Sequence, residues 1–152
     1  MFKIRGKTVS IQNRALAIIL IAAVSAALGA LVYTIANPPA EVRFTEFYLL
    51  GLEGKAIDYS TELKVVDEGR VIVGVINREQ EKATYHVEIT IDGVKNSEMR
   101  PVILEHGEKW EEVASFIPKR VGNGQKVEFL LYRLNQDDIY RRVHLWVDVT
   151  AP

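Results

Sequence analysis

Two hydrophobic rhythms divide the chain. Residues 15–36 (ALAIILIAAVSAALGALVYTIA) form an unbroken apolar run without a single charge. From Phe44 onward, apolar residues recur at every second position instead. The period of two predicts β-strands. The uncharged run predicts a helix; at 1.5 Å per residue it is roughly 33 Å long, close to the ~30 Å hydrocarbon core of a bilayer. Core helices of soluble proteins are usually shorter and rarely so uniformly apolar. The expected organisation is a basic segment over residues 1–14, a membrane-spanning helix over 15–36, a linker over 37–43 and a β domain over 44–152.

A cleaved leader is the rival reading of the apolar run, because Ala26, Ala27, Gly29 and Ala30 surround Leu28 like a processing site. Leaders normally carry a shorter apolar stretch of about 7–15 residues, so an uncleaved anchor is expected. Lys3, Arg5, Lys7 and Arg14 precede the run, and no acidic residue does. The positive-inside rule then holds the amino terminus in the cytoplasm and places the β domain outside. Tyr33 suits the interface, and Asn37-Pro38-Pro39 stops the helix because Pro38 biases Asn37 away from the α region. Small residues recur along the helix at Ala22, Ala26 and Ala30, with Ser25 and Gly29 beside them. Such a stripe would admit the backbone of another helix.

In the remainder, strands are expected over 44–50, 70–77, 83–92, 94–99, 102–104, 109–116, 126–134 and 140–149. Asp92-Gly93 is a hairpin signal. Further turns are expected at His106-Gly107, at Gly122-Asn123-Gly124 and around residues 135–138. The stretch 106–114 also suits a helical turn in composition. Short strands at this density fit an all-β, immunoglobulin-like sandwich. On the last two strands, Val143, Leu145, Val147 and Val149 and, opposite them, Val127, Phe129 and Leu131 are expected to point inward. That leaves Trp146 and His144, with Tyr132 and Leu130 on the partner strand, facing out as a candidate docking patch. The bland alternatives are a covering loop or a facing off by one residue.

Composition narrows the chemistry. Of 19 basic residues four precede Ala40, so 15 face 20 acidic residues in the rest of the chain, which is therefore mildly acidic. That is no footprint for nucleic acid. The absence of cysteine removes disulfides, thiolate ligands and a Cys nucleophile. His86, His106 and His144 lack metal-ligand spacing, and 135–138 lacks the acidic pattern of a calcium loop. No serine stands in a nucleophile elbow, and no phosphate loop is present. No catalytic, cofactor or metal residue is assigned, and no enzyme activity is expected.

Five segments in order carry a resemblance: FTEFYLLG at 44–51, VIVGVINRE at 71–79, HGEKWEE at 106–112, VEFLLYR at 127–133 and YRRVHLWVDV at 140–149. Together they resemble the archaeal membrane proteins grouped as domain of unknown function 1616. The resemblance implies a cell-envelope protein with an exported β domain and no assigned activity. Longer members look as if they carry several membrane helices ahead of this domain, where this chain has one. The partners expected are thus the lipid bilayer and a membrane protein or further copies of this chain. The leading expectation is an anchored, non-enzymatic interaction module. An envelope polysaccharide-binding module, with Trp146 and Tyr132 as stacking platforms, and a pilin-like filament subunit are the alternatives.

Overall fold

The computed structural model describes residues 11–56, 59 and 61–152. Lys3, Arg5 and Lys7 therefore lie outside the described residues. One helix, α1 (Ile11–Ala36), precedes nine strands: β1 (Phe44–Leu50), β2 (Glu62–Lys64), β3 (Gly69–Arg78), β4 (Ala83–Ile91), β5 (Val94–Glu98), β6 (Val102–Leu104), β7 (Lys109–Phe116), β8 (Gly122–Arg133) and β9 (Arg141–Thr150). The helix and the β domain are separate compact units. Among the described residues, α1 alone is long and apolar enough to cross a membrane. It begins four residues before the apolar run, taking in Gln12, Asn13 and Arg14. It ends where the backbone N–H and the side-chain amide of Asn37 both donate to the Tyr33 carbonyl, at 2.9 and 3.1 Å. Pro38, which has no N–H, cannot continue it.

The β domain is a sandwich of two sheets. The small sheet has the antiparallel order β1-β3-β7. The large sheet runs β2-β9-β8-β4-β5, with β6 pairing the first residues of β4. Alternation along each strand sets the core. Val71, Val73 and Val75 of β3 face Tyr85, Val87 and Ile89 of β4, Val127, Phe129 and Leu131 of β8, and Val147 and Val149 of β9, all nearly inaccessible to solvent. Each such side chain contributes roughly 1.5–3 kcal/mol by burial. Phe116 from the small sheet meets Phe129 from the large one edge to face, centroids 6.3 Å apart. All eight expected strands are present, and 109–116 is strand rather than a helical turn.

Two features differ from the sequence reading. β2 was not anticipated: three residues flanked by charge carry too little pattern. It pairs parallel to the end of β9, Glu62 opposite Asp148. Gly122-Asn123-Gly124 is not a turn between elements but a bulge at the start of β8, where the pairing with β9 shifts between Gly122 and Gln125. Gly124 has φ +63°, and its N–H donates to Asp148 Oδ1 at 2.7 Å. A bulge and a turn make the same demand on glycine, so the sequence signal is shared. Asp92 and Gly93 both have positive φ, as the tight β4–β5 hairpin requires.

On the outer face of the small sheet, Gly74 lies between Tyr48 and Glu111 in register. Tyr48 lies across the glycine and donates to Glu111 Oε1 at 2.7 Å. A Cβ at Gly74 would stand 2.2 Å from the ring. Burial, followed by the bond and charge of Glu111, pushes the Tyr48 phenol up to about 12.

Candidate functional site

The outer face of the large sheet carries the residues singled out from sequence. Register arranges them in rows across β4, β8 and β9. His86 faces Tyr132, and Leu130 sits between Glu88 and Arg142. Glu128 lies between Thr90 and His144, and Lys126 faces Trp146. His144 and Trp146 do point outward and touch edge to face, centroids 5.8 Å apart. Trp146 is 54% exposed, a large fraction for an indole.

The patch is not the continuous one expected. Leu130 lies on this face but is only 9% exposed, held between its two charged neighbours, so it offers little surface. Tyr132 is half-buried and stacked on His86, 5.0 Å between centroids and 20° between planes. It also lies six residues along β8 from Lys126, the residue opposite Trp146, which is about 20 Å at ~3.3 Å per residue. Lys126 and Glu128, paired at 2.8 Å, fill the interval. Trp146 and His144 therefore form one aromatic site, and Tyr132 with His86 another.

Next to the second site the fold gathers a set of donors that strand order alone could not reveal. His86 and Glu88, two apart on β4, meet Glu98, which faces Glu88 from β5. Their ligand atoms lie within 4.8 Å of one another, a grouping that could hold a metal ion. Lys95 Nζ bonds both carboxylates, at 3.3 Å to Glu88 and 2.6 Å to Glu98. The Glu98 bond holds the lysine above its ordinary value against burial, and the same bond holds Glu98 below its own. The two opposed carboxylates thus share one cation of the chain itself.

A second cluster, missed entirely from sequence, is buried where β1, β4, β8 and β9 converge. Glu79 is 3% exposed. Its Oε1 accepts from Thr45 Oγ1 at 2.7 Å and from the Tyr140 hydroxyl, and Tyr85 OH lies 2.8 Å from the Thr45 hydroxyl. Arg133 Nη1 stands 3.8 Å from Oε2. Burial alone would raise the Glu79 carboxyl. The bonds from Tyr140 and Thr45 and the charges of Arg133 and Arg141 outweigh it and hold the group below its ordinary value. Asn77, fully buried, accepts the Glu79 N–H and donates to the carbonyls of Glu81 and Leu104 at 2.8 Å. A buried carboxylate after a strand gives no periodic signal.

In the helix, Ala22, Ser25, Ala26, Gly29 and Ala30 are all exposed, and a Cβ added at Gly29 would meet nothing within 4 Å.

The profile of the family described as Domain of unknown function (DUF1616) matches residues 38–148, most of the chain and nearly all of the sandwich. The chain belongs to the DUF1616 family. No curated protein matches it. Among solved structures, this DUF1616 sandwich is similar to the CARDB domain of the PF1109 protein from Pyrococcus furiosus, crystallised in complex with di-metal ions. The identity is 16% and the TM-score 0.51, over 74% of this chain and 100% of that one. The solution structure of the same CARDB domain gives 17% identity and a TM-score of 0.50, over 73% and 100%. These likenesses establish the immunoglobulin-like sandwich fold of the DUF1616 domain.

Proposed function

We propose that this DUF1616 chain is a membrane-anchored, non-enzymatic interaction module. In this reading α1 lies in the bilayer with the amino terminus in the cytoplasm, and the sandwich works on the outer side as an accessory subunit of an envelope complex. The observation that carries it is the pairing of an unpartnered apolar helix with a sandwich that leaves Trp146 more than half exposed beside His144. Exposed tryptophan is rare on free surfaces and enriched at the centres of interfaces. The chemically capable side chains elsewhere are engaged with one another: His86, Glu88, Glu98 and Lys95 on the surface, Glu79, Tyr140 and Thr45 within.

Envelope polysaccharide binding is supported less well, because its second platform, Tyr132, is stacked on His86 and stands apart from Trp146. The same holds for a metal-dependent role analogous to the di-metal CARDB domain, since Lys95 fills the cation position between Glu88 and Glu98.

Protease added to intact cells is expected to remove the sandwich and to leave a fragment of α1 with its amino-terminal residues. A sandwich resistant until the membrane is permeabilised would overturn the topology. Binding of envelope glycans that Trp146→Ala abolishes would favour the polysaccharide reading instead.

A further inference from the structure

Strand β9 is the outer long strand of the large sheet, and among the described residues only its far end is paired on that side. β2 pairs with Asp148, Val149 and Thr150, and the Asp148 N–H donates to the Thr61 carbonyl at 2.7 Å. Backbone polarity alternates along a strand, so Trp146, His144 and Arg142 direct their N–H and C=O groups to the same side as Asp148. Among the described residues nothing bonds to them there; the other neighbour of β9 is β8, on the opposite side, and β1 pairs with β3 in the other sheet.

The edges at β5 and β7 are managed, whereas β1, like β9, has one side unpaired among the described residues. The Asn96 side chain bonds both the carbonyl and the N–H of Ile117, at 2.8 and 2.9 Å, and Ser97 Oγ donates to the Ser115 carbonyl, which ties β5 to β7. The rest of the β7 edge carries the Lys109–Glu111 ion pair, 3.1 Å. Short edges and edges tied to a neighbour resist pairing, whereas a longer edge with free backbone groups recruits a strand.

We propose that a second copy of this chain pairs with the open half of β9, antiparallel and about a twofold axis at His144. The inference rests on the reading of the protein as an anchored interaction module and names its partner. The open stretch runs from Arg141 to Val147, where β2 begins to interfere, and His144 is its midpoint. A twofold axis there pairs each open residue with an open residue and meets β2 in neither copy. In this register the three outward-polar residues form the hydrogen-bonded pairs, Arg142 with Trp146 of the second copy, His144 with its own equivalent, and Trp146 with Arg142. Arg142 is exposed and has no ion-pair partner among the described residues, and Trp146 presents an open indole face. Each copy therefore offers one cation and one aromatic ring at symmetric positions, giving two cation–π contacts per dimer. On the other face Val143 meets Leu145 of the second copy. Copies held in one bilayer by α1 raise each other's effective concentration, so a short interface suffices.

The test uses this chain, which has no cysteine of its own, in native membranes. Hydrogen-bonded antiparallel partners stand about 5.5 Å apart at Cα, within disulfide reach. His144→Cys is expected to give, on mild oxidation, a disulfide dimer about tenfold more abundant than Val94→Cys on the opposite edge. Arg142→Cys and Trp146→Cys are expected to crosslink when co-expressed and little when each is alone, which reads the register. His144→Pro removes an N–H that points away from β8, so the fold is expected to persist and the dimer to be lost. Failure of His144→Cys to exceed the Val94→Cys control, with the sandwich folded by circular dichroism, overturns the proposal, whether or not an unrelated protein is captured. If the domain in those cells is still cleaved by external protease, the anchored-module reading stands and only the second copy is excluded.

Discussion

Two aromatic clusters lie within a few residues of each other along the chain, and they have opposite fates. Just before β9, Tyr140 turns inward and gives its hydroxyl to a buried carboxylate that also holds Thr45 and stands near Arg133. Within β9, His144 and Trp146 turn outward and touch edge to face. The inner cluster joins both sheets and satisfies every oxygen it buries, so it belongs to folding. The outer one is left with open surface and, among the described residues, an unpaired backbone edge, and the proposed function gives it the recognition. Residue type does not separate the two, and neither does parity along the chain; Tyr140 stands just before β9, where its N–H already bonds the Leu131 carbonyl, and so escapes the alternation that turns His144 and Trp146 outward.

The sharpest way to break the comparison is to remove Glu79. Glu79→Ala strands Arg133, Thr45 and the two tyrosines and is expected to cost about 3–5 kcal/mol in urea unfolding. Trp146→Ala, on the other cluster, is expected to change stability by less than about 0.5 kcal/mol while removing the crosslink at His144→Cys. If both variants destabilised alike, the division between folding and recognition would fail.

Next in size is Tyr140→Phe, which deletes one bond to the carboxylate and is expected to cost about 1.5–3 kcal/mol in the same assay. Acid sharpens the same point. Because the folded Glu79 carboxyl lies below its unfolded value, the unfolded chain binds the proton first on acidification. The stabilisation is complete above the unfolded value near 4.5 and is lost as pH falls through the lower folded one. A urea midpoint that declines less steeply below pH 4.5 in Glu79→Gln than in the parent checks the sign.

The smallest effect runs the other way. Val66 has φ +70° and is 70% exposed, an uncommon conformation for a β-branched side chain. Val66→Gly is expected to raise stability by about 1 kcal/mol, visible as a higher melting temperature. No gain would mean that the valine contacts something the strain has to be weighed against.

How legible was this molecule in its sequence? Strands with one buried face declared themselves: Tyr85, Val87 and Ile89 in β4 or Leu145, Val147 and Val149 in β9 alternate because burial alternates. The helix run was equally plain. What escaped was everything set by neighbours that are distant in sequence. β2 exists because β9 offers it an edge. Leu130 is covered because Glu88 and Arg142 flank it, a fact of register rather than pattern. Glu79 looks like any loop acid until Thr45 and Tyr140 arrive from 34 and 61 residues away. Of the candidate patch, the outward facing of Trp146 and His144 was readable; that Tyr132 stands apart from them required the pairing of β8 with β9.

The first strand enters the sandwich at the end where Thr45 meets Glu79 and Tyr140, whereas β9 finishes at the opposite end, beside β2. A tug between the anchor and the carboxyl terminus would therefore slide β1 lengthwise along β3 rather than peel it away. All seven residue pairs from Phe44–Arg78 to Leu50–Ile72 would bear that load at once. A domain strung this way is suited to hold under tension applied between its two ends.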